Sequence, residues 1–142
     1  MKYISIIFIL LANNVWAIDK QDVPRYIAEF EARIKPLENY IQSEARSNQD
    51  YAKGYTELLK ALDKELNVAY KKLIAKLPKS NQEKLRQSQK HWLNFRDAEI
   101  DFLSKQFNRK DNGGSSVMTR GIYISTLIKT RIKALLWYRK GL

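Results

Sequence analysis

The chain has 142 residues, no cysteine and a formal net charge of +11, from 26 Lys and Arg against 15 Asp and Glu. That length fits one domain, and the missing cysteine excludes disulfide staples, thiolate metal sites and a thioether-linked lipid anchor. The charge favours anionic partners. In chain order, MKYISIIFILLANNVWA comes first: one lysine, an apolar run from Tyr3 to Ala12, a polar step, then Val15-Trp16-Ala17. This reads as a secretory signal cut after Ala17, because the apolar run falls short of the roughly 20 residues a membrane span needs. Removing residues 1–17, which carry one lysine and no acid, leaves residues 18–142 at +10. The expected mature protein is periplasmic or secreted, does not span the membrane and has no call on nucleic acid.

From Val23, apolar residues recur at Tyr26, Ile27, Phe30, Ile34, Leu37 and Ile41, a three-four spacing that predicts an amphipathic helix over about 21–47, bent at Pro36. The pattern loosens at SNQDYAKG. It resumes at Leu58, Leu59, Leu62, Leu66, Ala69, Tyr70, Leu73 and Leu77, predicting a helix over 52–77 that Pro78 ends. Ser80-Asn81-Gln82-Glu83 has the form of a capping box and sets a third helix over 81–107. Asn108 to Ser116 reads as a loop. A fourth helix over 116–139 puts Val117, Ile124, Leu127, Ile128 and Leu135 inward. The fold class is all-α: an antiparallel bundle of about four helices, the last three up-down-up and the first alongside.

Charges intrude on the apolar stripes. At 100° per residue, Arg96 and Glu99 share a face with Leu85, Trp92 and Leu103. Arg131 lies among Ile124, Ile128 and Leu135, and Asp63 borders Leu59, Leu66 and Tyr70. A buried charge needs a partner, so an ion-pair network among Asp63, Arg96, Glu99 and Arg131 is expected between the last three helices, with Trp92 against a guanidinium. Catalytic chemistry has little to build on. His91 is the single histidine and no metal set completes around it. The neighbouring carboxylates Asp97, Glu99 and Asp101 are expected to be solvated or paired, so the chain is expected to be no enzyme and to need no cofactor.

Asp63-x-x-Leu66-Asn67-x-x-Tyr70-x-x-Leu73, Leu85-x-x-x-Gln89-x-x-Trp92-x-x-x-Arg96-Asp97, Gly113-Gly114-Ser115 and Arg131-x-x-x-Leu135 occur in this order. Together, over about 54–136, they resemble the LprI-type lysozyme-inhibitor family of exported bacterial proteins. The resemblance implies a small helical envelope protein whose partner is a lysozyme or other muramidase. Joined to the charges of the apolar stripes, these pattern residues give an expected structural network of Asp63, Asn67, Tyr70, Gln89, Trp92, Arg96, Asp97, Glu99 and Arg131. The resemblance further implies a family disulfide at the positions of Gly54 and Ile100, which this chain lacks. For such a partner the expected contact surface is the polar loop, with Asn108, Asp111, Asn112, Gly113, Gly114, Ser115 and Ser116, because glycines and short polar side chains can enter a groove. The alternative is a cationic envelope module. After Asp111 no acid follows, while Arg120, Lys129, Arg131, Lys133, Arg139 and Lys140 do. Such a tail suits an anionic envelope polymer, lipid headgroups or an acidic protein.

Overall fold

A computed structural model describes residues 22–108, 110, 113–140 and 142. The expected signal segment, residues 1–17, and the loop positions Asp111 and Asn112 lie outside the described residues. Helix α1 spans Asp22–Asn39 and widens into a π-helical turn, Tyr40–Glu44. Three longer helices follow: α2 (Asn48–Ile74), α3 (Lys79–Gln106) and α4 (Ser115–Trp137). No strand occurs among the described residues, and the chain is an all-α bundle.

Side-chain pairs fix the directions of the helices. Arg33 of α1 grips Glu65 of α2 through two bonds of 2.8 Å, and Glu38 and Glu31 pair with Lys129 and Lys133 of α4, so α1 runs antiparallel to both. Arg96 of α3 meets Asp63 of α2, while Arg131 and Tyr123 of α4 meet Gln89 and Glu99 of α3, so α3 is antiparallel to both as well. The helices α2 and α4 are therefore parallel neighbours with α1 and α3 beside them.

The core is made chiefly by three of the four helices. Phe30 and Ile34 of α1, Leu62, Leu66 and Leu73 of α2, and Ile132 and Leu135 of α4 are almost wholly removed from water. Helix α3 contributes only Leu85, Gln89 and Leu103 to the buried set along its 28 residues. The apolar stripe that predicted α2 is the one that is buried, through Leu58, Leu62, Leu66, Ala69 and Leu73. On α4 the inner face is displaced: Ile124, Ile128 and Leu135 are buried, but so are Gly121, Ser125, Ile132 and Leu136, while Val117 and Leu127 are only half-buried.

Two local expectations change. Helix α1 runs through Pro36 without a break, and its hydrogen-bond pattern changes at the π turn, where the Ala45 amide donates to the Tyr40 carbonyl at 2.9 Å. That turn lays Tyr40 and Ile41 on Gly54, the one place on α2 with no side chain to hold them off. The capping box is at Ser47, not Ser80. Pro78 already stands at the start of α3, so Ser80 lies inside its first turn and makes no cap, whereas the Ser47 side chain accepts from the Asp50 amide at 3.1 Å and Asp50 accepts from the Ser47 amide at 3.0 Å. The segment that looked loosest in sequence is thus a built helix start.

That cap is sensitive to acid. Hydrogen bonds from the Ser47 hydroxyl and from the Arg46 and Ser47 amides hold the Asp50 carboxyl below its ordinary range. A depressed carboxyl stabilises the fold above its unfolded pKa, and this stabilisation is lost as pH falls through the folded value. Asp50→Asn should therefore flatten the acid limb of a melting-temperature profile, and Ser47→Ala should cost about 1 kcal/mol at neutral pH.

Candidate functional site

The seam between α2, α3 and α4 holds charges, but not as one network. Arg96, whose side chain is 17% exposed, bonds Asp97 Oδ1 from Nε at 2.9 Å and Nη2 at 2.7 Å, and reaches Asp63 Oδ1 only at 3.4 Å. Both carboxylates are mostly solvated, so these pairs contribute little beyond orientation. Arg131 has no carboxylate partner among the described residues: its Nε donates to Gln89 Oε1 at 3.0 Å and its Nη2 to Ser88 Oγ at 3.2 Å. Trp92 joins the two halves, with the Arg96 and Arg131 guanidinium carbons 5.7 and 5.8 Å from its ring centre. Burial lowers the Arg131 pKa from its ordinary value.

Glu99 stands apart from that seam. It accepts from the Tyr123 hydroxyl at 3.1 Å, and that bond raises the tyrosine pKa. A helical wheel gave Glu99 and Arg96 one face, but three residues along a helix separate them by a turn, enough to hand them to different neighbours. Asn67 donates to the Asp63 backbone carbonyl at 3.0 Å and, with Tyr70 and Gln89, lines an open cleft between α2 and α3.

Because the partner of Arg131 is neutral, Arg131→Ala removes no counter-charge. It leaves the amide oxygen of Gln89, a residue only 7% exposed, without its donor. The expected loss is about 1–2 kcal/mol in denaturant unfolding, below the 3–5 kcal/mol typical of a broken buried ion pair.

The loop is partly built into the fold. Ser116 is buried and its hydroxyl donates to the Gly113 carbonyl at 2.8 Å, so it closes the turn and faces no partner. Gly113 takes φ +60°, the left-handed region where a side chain is strained. Gly114 has a packing role, since a Cβ there would sit 2.0 Å from Asn48 Nδ2. Asn108 donates to the Lys105 carbonyl at 3.0 Å, while Gly113 and Ser115 are exposed. Replacing both glycines by alanine would thus strain the turn and displace Asn48 as well as alter a surface.

Beside the loop lies a feature that periodicity alone did not single out. Between α3 and α4 an open groove of about 730 Å³ is lined by Phe102, Leu103, Phe107, Ile122 and Leu127, with three threonine side chains and the Glu99–Tyr123 pair. Phe102 and Ile122 are 56% and 53% exposed, and Phe95 stands nearby on α3 at 49%. The sequence signal was present: Ile122 and Tyr123 fall outside the stripe of Ile124, Ile128 and Leu135, giving α4 a second apolar face. Among the described residues no cluster of three or more His, Asp or Glu side chains is placed to hold a metal ion, and no helix is long and apolar enough to cross a membrane.

The family model for lysozyme inhibitor LprI matches residues 41–135. The chain belongs to the LprI family. The matched span runs from the π turn through most of α4, so it takes in the seam, the groove and the loop but leaves out all of α1. No curated relative and no solved structure matches the chain. Within this LprI fold, a side chain at position 54 points at Tyr40 and Ile41: a Cβ there would lie 2.7 Å from Ile41 Cγ1. The position that the resemblance assigned to a family cysteine is therefore occupied here by packing between the π turn and α2.

Proposed function

We propose that this chain is an exported inhibitor of lysozyme-type muramidases that acts by protein–protein binding, with the loop between α3 and α4 at the contact. The match to the lysozyme inhibitor family over residues 41–135 carries this reading. Of the loop, Asn108, Gly113 and Ser115 are assigned to the contact edge, because Gly114 and Ser116 are committed to packing.

The cationic-module alternative loses support from the same geometry. Lys129 and Lys133 are paired with Glu38 and Glu31, Arg120 donates to the Phe107 carbonyl, and Arg139 lies 4.0 Å over the Tyr26 ring. The tail that reads as a free cationic strip is largely satisfied within the bundle. A lysis assay with residues 18–142 against several lysozyme classes tests the proposal: slowed lysis by at least one class is expected, and unimpeded lysis by all of them would refute it. Binding to anionic polymer that weakens steeply with salt, without inhibition, would favour the module instead.

A further inference from the structure

We infer that the groove between α3 and α4 takes a protein partner that brings an apolar protrusion edged by a lysine or arginine. On the function proposed above, on which this inference rests, that partner is the muramidase.

The first argument is the cost of leaving this face open. Helix α4 already buries Ile124, Ile128, Ile132 and Leu135 against the rest of the bundle, and it leaves Ile122 and Tyr123 about half in water on its other side. Together with Phe102 they line an exposed, largely apolar recess, the kind of surface that marks an interaction site.

The second argument is charge. On a chain of net charge +11, the groove is lined by a single ionisable carboxylate and by no lysine or arginine. Glu99 is held by a neutral donor, Tyr123, and no described cation pairs with it. The net charge of the chain repels a cationic protein, but at the groove such a partner meets apolar surface and one carboxylate ready to accept a charge-assisted bond.

The test measures binding and inhibition separately, with residues 18–142 and a basic common-type lysozyme. Ile122→Lys and Glu99→Lys alter the groove, and Glu83→Lys is the control: it makes the same change in net charge at the far end of α3, on an exposed residue paired only with its helix neighbours. Ile122→Lys should weaken binding about thirty-fold, as loss of a central apolar anchor does. Glu99→Lys should weaken it about tenfold at low salt and less at high salt, with Glu83→Lys within about twofold of wild type. Melting temperatures should stay close to wild type, because both groove positions lie outside the core.

Full binding and inhibition by both groove variants would overturn the groove while leaving the inhibitor reading intact. Equal losses in Glu99→Lys and Glu83→Lys would also overturn it, by reducing the effect to net charge. Binding that depends on Ile122 without any slowing of lysis would uphold the groove and sink inhibition, and no binding by the wild-type chain would sink both. A dimer in sedimentation that Ile122→Lys dissolves would name a second copy as the occupant and overturn the muramidase.

Discussion

Gly121→Ala should lower stability by about 3 kcal/mol and the melting temperature by roughly 10 °C, a large effect for one methyl group. A Cβ at 121 would lie 2.3–2.5 Å from three carbons of the Tyr55 ring, where contacts begin above 3 Å. Tyr55 is 8% exposed and cannot swing aside as a surface side chain would. The parallel pair α2 and α4 touches at this point, so the added methyl must push the two helices apart or drive the ring off its rotamer. Denaturant unfolding checks the size of the loss. In a double-mutant cycle, Gly121→Ala should cost much less in a Tyr55→Ala background; a cost that stays the same would show that the ring is not what the methyl meets.

The second large effect separates the two apolar faces of α4. Ile132→Ala should cost about 3 kcal/mol, since Ile132 is fully buried and its loss leaves a cavity. Ile122→Ala, ten residues earlier, should stay within about 0.5 kcal/mol, because more than half of that side chain is already in water. Equal losses would mean that the outer face is packed, and the groove would no longer be open. The expected contrast says that Ile122 serves something other than the fold.

The helices were legible because apolar residues at three-four spacing specify which side of a helix is inward, and α2 bears this out from Leu58 to Leu73. The same logic gave an incomplete account of α4. Ile122, Ile124, Ile132 and Leu136 do not share one stripe, and only the neighbours, α2 on one side and a loosely held α3 on the other, decide which are covered. Glu99 shows the limit for charges. A wheel places a side chain on a face, but the choice between Arg96 and Tyr123 depends on where α4 lies. Gly114 is similar, since its closeness to Asn48 joins residues far apart in sequence. Ser47 and Asp50 have the same capping spacing as Ser80 and Glu83, and what separates the two is Pro78, which starts α3 ahead of Ser80 and leaves that serine inside the first turn.

With three buried residues along 28, and no cysteine bridging it to α2, α3 has little to keep it closed when the rest of the bundle is intact. Amide hydrogens in its middle turns should therefore exchange with solvent through partial opening events, at free energies well below those of α2 and α4, whose amides should report global unfolding. The helix that forms one wall of the groove is then expected to open more easily than the two helices it packs against. A partner seated there would slow exchange in α3 first, giving a readout of occupancy residue by residue that needs no enzymatic assay.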